Sequence, residues 1–276
     1  MTAIPDVGDR PTQGRAAPAR TRIIGILNVT PDSFSDGGRF DNLEAAGAQA
    51  RRMAAEGADI IDVGGESTRP GYEPVETERE LARVLPVLEA IVPEIGVPVS
   101  IDTRKAEVAR AALKAGASLI NDVWGLQRDP GLAGLAAETG VETIAMHNRD
   151  DIDPKIDIVD DMLRFFERTI DIARRAGIAD DRLTLDPGIG FGKTLEQNLR
   201  AVKHVGQIRA LGFPVLLGVS RKSSIGRITG REVGDRLAGT IAMNAWALRD
   251  GVDIIRVHDV AAHFDARAIT EALRDA

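Results

Sequence analysis

The stretch PVSIDTRKAEVARAALKAGASLIND, residues 98–122, decides the fold. It opens with a short β-rich run, 98–101, that stops on Asp102. A segment rich in Ala, Leu, Glu and Arg follows over 105–115, and a second apolar run, 118–121, stops on Asn121. Gly116 stands between helix and second strand, where a glycine closes the helix because it tolerates the left-handed backbone. Strand, helix, glycine turn and strand in that order are the repeating unit of a parallel sheet.

The same unit recurs on both sides. Strands are predicted at 23–27, 59–63, 98–101, 118–121, 142–146, 183–186, 215–219 and 253–257. Helices are predicted near 43–56, 76–92, 105–115, 131–139, 157–177, 194–211, 233–250 and 261–275, with Gly57 and Gly251 placed as Gly116 is. Eight units favour an α/β fold closed as a (β/α)8 TIM barrel, where six or fewer would favour an open doubly wound sheet. No linker interrupts the chain after residue 20, so a single domain is expected over 21–276. Residues 1–20 hold Pro5, Pro11 and Pro18 with almost no apolar periodicity, and read as a flexible N-terminal tail.

Composition narrows the function. The 276 residues are 43% hydrophobic and 28% charged, the balance of a globular protein. No apolar run approaches the roughly 20 residues needed to cross a bilayer, and no signal-peptide order is visible, so no membrane partner and a cytoplasmic location are expected. The absence of cysteine excludes disulfides, thiolate metal sites and a Cys nucleophile. A net charge of −7 argues against nucleic acid as a partner, because that affinity comes from Lys and Arg neutralising phosphates. An anionic ligand must be held by a local basic cluster.

In a parallel barrel all strand C-termini open on one face, so polar residues ending distant strands share one pocket. Asp102, Asn121 and Asp186 end three predicted strands; each alone reads as a helix cap or turn former, but together they suit the amidine-like edge of a heterocycle. Asn28 begins a long polar loop running to Gly38, and Gly64 to Gly71 forms a second, with hydroxyls and Arg69 but no P-loop ending. In the run Asp186 to Thr194 three glycines surround Phe191, which can stack on a planar ligand. Ser220-Arg221-Lys222-Ser223 and Arg256-Val257-His258-Asp259 are the densest cationic clusters, after strands 7 and 8, where barrels frequently bind phosphate. His147, His204 and His263 read as surface or pocket-rim residues, and neither a zinc motif nor a nucleophile elbow is present. Direct substitution between two bound substrates therefore fits better than a covalent enzyme intermediate.

From Ile23 to about Ala272 these segments, in order, resemble the dihydropteroate synthase family of pterin-binding enzymes. The resemblance rests on Asn28 to Gly38, Asp62 to Gly71, Ser100 to Thr103, Asn121-Asp122, Met146-His147, Asp186 to Thr194, Ser220 to Gly226 and Arg256 to Asp259. It implies a TIM barrel, usually a homodimer, that joins a dihydropterin diphosphate to 4-aminobenzoate and releases diphosphate. It further implies pterin contacts at Asp102, Asn121, Met146, Asp186, Phe191 and Lys222, and diphosphate contacts at Asn28, Arg256 and His258. Asn28 would also be the Mg2+ ligand. Aminobenzoate, and sulfonamides as its competitive mimics, would meet Pro31, Phe34, Thr68, Arg69, Pro70 and Ser223. The family's catalytic group would map to Lys222, Arg256, His258 and Asn28. Asn148-Arg149-Asp150 departs from many relatives and puts rim contacts in question. Two rivals remain: a pterin-binding methyltransferase domain serving a corrinoid protein, and a noncatalytic paralogue.

Overall fold

The structure, a computed structural model, describes residues 18, 20–30, 39–66 and 75–276. Its eight strands are β1 (Arg22–Asn28), β2 (Ile60–Gly64), β3 (Val99–Asp102), β4 (Leu119–Asp122), β5 (Glu142–Met146), β6 (Leu183–Asp186), β7 (Leu216–Leu217) and β8 (Ile254–Val257). They pair in parallel in the order β6-β5-β4-β3-β2-β1-β8-β7. A single bridge, Leu185 to Val215, with the Leu185 N–H donating to the Pro214 carbonyl at 2.9 Å, joins the two ends. The sheet is thus a closed (β/α)8 barrel, as the repeat count required.

Helices α1 (Arg39–Ala55), α2 (Thr77–Ile91), α3 (Ala106–Lys114), α4 (Pro130–Thr139), α5 (Ile158–Ala176), α6 (Leu195–Lys203), α7 (Val205–Arg209), α8 (Ser223–Thr229), α9 (Leu237–Arg249) and α10 (Val260–Asp275) surround it. Their ends follow local chemistry. Asp157 caps α5 by accepting from the N–H groups of Val159 and Asp160, and Gly177, with φ +95°, closes it. Along α5 the buried Met162, Phe165, Phe166, Thr169, Ile170 and Ala173 recur at helical spacing, so one stripe faces the barrel.

Three boundaries differ from expectation. The segment 194–211 is two helices, because His204 leaves helical geometry at φ −108° and ψ 21°. β7 is shorter than 215–219, since the Val215 N–H is taken by the Asp253 side chain at 3.0 Å. The basic run after β7 enters the short helix α8, which Gly226 and Gly230 concealed in the sequence.

Residues of each strand alternate between the helices and the barrel interior. Outward-facing Ile23, Leu27, Ile61, Ile101, Ile120 and Leu185 join the large core beneath the helices. Inside, Ile24, Ile60, Leu119, Ile144, Leu216 and Ile254 form a separate apolar floor. Two residues further along β2, β4 and β8, the interior carries Asp62, Asn121 and Arg256.

Candidate active site

Asp62 and Arg256 lie one inward step above the floor, and Asn121 one such step beyond Leu119. Asp62 is fully buried and one oxygen, Oδ2, accepts from Arg256 Nε at 2.7 Å and from Asn121 Nδ2 at 3.0 Å. Arg256 Nη2 donates to Asp102 Oδ2 at 2.8 Å, so one guanidinium bridges two carboxylates from β2 and β3. Burial alone would make that guanidinium easier to deprotonate, but Asp62 and Asp102 outweigh it and hold the charge more firmly than usual. Asp62 Oδ1 and Asp102 Oδ1 are buried acceptors with no partner among the described residues. Such oxygens are costly unless a donor arrives, which fits a ligand edge rich in N–H groups.

Asp102 is raised to about 7, first by burial and then by Asp62 and Glu80, against the pull of Arg256 and Lys222. Asp186 is raised to about 6 by burial, opposed by the Gly188 N–H that donates to its Oδ1 at 2.7 Å and by Lys222. Both sit at the mouth end of their strands. Gly64 and Gly218 stand beside them, and a Cβ at either would lie 3.4 Å from Asp102 or 3.8 Å from Asp186. Without those side chains the space over the carboxylates stays open.

The loop after β6 brings Phe191 beneath Lys222, whose Nζ is 4.3 Å from the ring centroid, a cation–π distance. Arg221 holds a left-handed backbone, φ +55°, secured by its N–H to Thr240 Oγ1 at 3.1 Å. Its guanidinium makes a two-point pair with Asp259, at 3.0 and 2.5 Å. Within the two clusters read as the densest cationic segments, Arg221 is thus paired with Asp259 of the other cluster. His258 is not a cation; burial first, then Arg256 and Arg221, hold it down to about 3. Ser220 Oγ accepts the His258 N–H at 3.1 Å and lies 2.8 Å from Nδ1, so its hydroxyl proton can fill Nδ1 and leave Nε2 as the donor. Among the described residues of the two clusters, positive charge at the mouth therefore comes from Lys222 and Arg256.

Asn28 ends β1 on the inward side, in step with Ile24 on the floor. Met146 ends β5, buried, paired in register with Asp186. Ser223 is exposed at the first turn of α8, next to Lys222. Pro31, Phe34, Thr68, Arg69 and Pro70 lie outside the described residues. Among the described residues, no three His, Asp or Glu side chains converge as a metal cage. The carboxamide oxygen of Asn28 is a hard donor, and Mg2+ often takes few protein ligands beside substrate phosphates; the donor set fits an ion carried mainly by a diphosphate.

A model of the pterin binding enzyme family matches residues 24–258. The dihydropteroate synthase of Clostridium beijerinckii is 49% identical over 255 residues, 92% of this chain and 94% of that protein. The chain belongs to the dihydropteroate synthases. They are transferases of folate synthesis, and the match displaces the methyltransferase alternative. Among solved structures, the dihydropteroate synthase of Clostridium difficile in the presence of pteroic acid superposes with a TM-score of 0.90 at 48% identity, covering 92% of this chain and 97% of that one. That of Yersinia pestis in complex with a sulfonamide drug gives 0.88 at 42% identity, covering 96% and 100%.

Two features of the site were not legible in the sequence. Asp62, inside the run Ile60 to Val63, passed as part of a strand, though a charge in a short apolar run signals a buried partner. His147 and His263 were expected at the surface or the pocket rim, yet both are fully buried. His147 bonds Lys193 and Asp161, and His263 Nδ1 lies 2.7 Å from the Asp259 carbonyl.

Proposed function

We propose that this chain condenses (7,8-dihydropterin-6-yl)methyl diphosphate with 4-aminobenzoate to give 7,8-dihydropteroate and diphosphate, through the residues gathered above the barrel floor. The observation that carries the proposal is the row Asp102, Asn121 and Asp186 around Arg256, with buried acceptor oxygens unpartnered over a solid apolar base. On this reading the pterin N–H edge meets those carboxylates and Asn121, with Met146, Phe191 and Lys222 against the ring. The diphosphate lies toward Asn28, Arg256 and His258, where the Arg256 charge and the His258 Nε2–H stabilise the departing oxygens. Mg2+ bound by Asn28 and the diphosphate would neutralise further negative charge on the leaving group.

Bond cleavage precedes attack in this scheme. The electron-rich pterin shares the positive charge on its methylene carbon, and the aniline nitrogen then adds, an SN1-like course in which the protein supplies positioning more than a base. Aminobenzoate, and sulfonamides competing with it, are placed at Pro31, Phe34, Thr68, Arg69, Pro70 and Ser223. The enzyme is cytoplasmic and homodimeric in this proposal. Exposed Ile269 and Leu273, four residues apart on one face of α10, support a second copy packing there.

The test is diphosphate release from the pterin diphosphate with Mg2+, with and without 4-aminobenzoate. Release that depends on aminobenzoate and yields dihydropteroate supports the proposal. Pterin binding without turnover would return the noncatalytic reading.

A further inference from the structure

The loop between β6 and α6 is tied down by one buried lysine that the scheme above does not use. Lys193 is 5% exposed, and its Nζ donates to Gly188 O at 2.8 Å, Phe191 O at 3.0 Å and His147 Nδ1 at 2.8 Å. Burial lowers this amine from 10.5 to about 7, against the pull of Asp186 and Asp161; in its ammonium form it has three N–H groups, and every donor is then committed. With Nδ1 accepting, the imidazole proton sits on Nε2, which faces Asp161 Oδ2 at 3.0 Å. Arg149 donates to the same oxygen at 2.8 Å. Burial, then Lys193 itself, hold His147 down to about 4, so a neutral ring links the carboxylate to the buried cation.

Two of the three bonds grip the backbone of the loop on either side of Gly190. The loop lies so close to the preceding one that a Cβ at Gly188 would collide with the His147 carbonyl. The Gly188 N–H in turn holds Asp186 Oδ1, and the Phe191 ring lies under Lys222. Through a single residue, Lys193 therefore reaches Asp186, Phe191 and Lys222.

We propose that Lys193 is the positioning residue of the pterin seat: its ammonium pins Gly188 and Phe191 so that Asp186, Phe191 and Lys222 present one preformed surface, and His147 with Asp161 holds the ammonium in place. The proposal rests on the pterin placement given under the proposed function. Lys193→Met keeps the aliphatic stem and removes the donors. Steady-state kinetics are expected to show the KM for pterin diphosphate raised about tenfold or more, with the KM for 4-aminobenzoate within about twofold. Asp161→Asn, at a side chain 23% exposed, is expected to move the pterin KM the same way by about threefold. Should circular dichroism show that Lys193→Met does not fold, Asp161→Asn alone decides. Lys222→Ala is the control on the seat itself. If it raises the pterin KM while the folded Lys193 and Asp161 variants leave that KM unchanged, or raise both KM values alike, the positioning role is wrong and the seat stands. If Lys222→Ala also leaves the pterin KM unchanged, the seat is wrong and the proposal falls with it.

Discussion

The barrel interior holds two layers that follow one alternation and share β2, β4 and β8, with different chemistry. Below, Ile24, Ile60, Leu119, Ile144, Leu216 and Ile254 form an apolar cluster, with the hydroxyls of Ser100 and Thr184 as the polar groups in register beside it. Above, Asp62, Asp102, Asn121, Asp186 and Arg256 crowd three carboxylates around one guanidinium and an amide, with two buried oxygens unpartnered. A dry floor stabilises the fold through buried area. The layer above it is costly to the fold and is assembled for a ligand. One inward step along β8, from Ile254 to Arg256, separates the two tasks.

The sharpest break in this comparison comes from Arg256→Met. Removing the guanidinium that bonds both leaves Asp62 and Asp102 facing each other in a buried setting. Stability is expected to drop by about 3 kcal/mol, the usual scale for stripping one partner from a buried pair. On the proposed diphosphate role, single-turnover bond cleavage should also slow by about 100-fold. Urea denaturation and rapid quench check the two effects separately.

The floor should answer differently. Ile144→Ala opens a cavity and is expected to cost about 2–4 kcal/mol with both KM values unchanged; altered pterin binding in that variant would show that the layers are not separable.

A third prediction uses pH. Asp102 is raised from the ordinary 3.8 to about 7 in the fold, so the native state holds its proton more tightly than the unfolded chain does. Its contribution is fully present below about pH 4 and is lost as pH rises through about 7. Asn cannot lose that proton. The unfolding free energy of Asp102→Asn minus that of the parent should therefore grow by up to about 4 kcal/mol between pH 4 and pH 8 in urea titrations. Asp186, Asp122, His147, His258, His263 and Lys193 are shifted in both proteins, and their contributions drop out of the difference to first order. At the small end, the exposed Arg51–Glu94 pair at 2.6 Å joins two helices outside both layers. Arg51→Ala should change stability by about 0.5 kcal/mol or less, as thermal melts would report.

How legible the molecule was in its sequence also differs between the layers. The barrel was readable because eight apolar runs and their glycine turns repeat one local pattern; Gly57, Gly116 and Gly251 do hold positive φ. Asp102, Asn121, Asp186 and Arg256 were readable because they end or nearly end those runs. Asp62 was not, because its neighbours Ile60, Ile61 and Val63 masked it, and only its partners Arg256 and Asn121, distant in sequence, reveal its role. Lys193 and His147 hid for the same reason: their bond spans 46 positions. The neutrality of His258 and the capture of Arg221 by Asp259 depend on three-dimensional neighbours, so residue type alone pointed to more positive charge than the mouth presents.

The central claim is that the polar layer above the floor reads the pterin ring. Isothermal titration of the pterin diphosphate into the parent protein, Asp186→Asn and Ile144→Val tests it most directly. The expected result is an affinity loss of about 100-fold for Asp186→Asn, matching a buried bidentate acceptor turned against its donors, and an unchanged affinity for Ile144→Val. Full pterin affinity in Asp186→Asn would contradict the account.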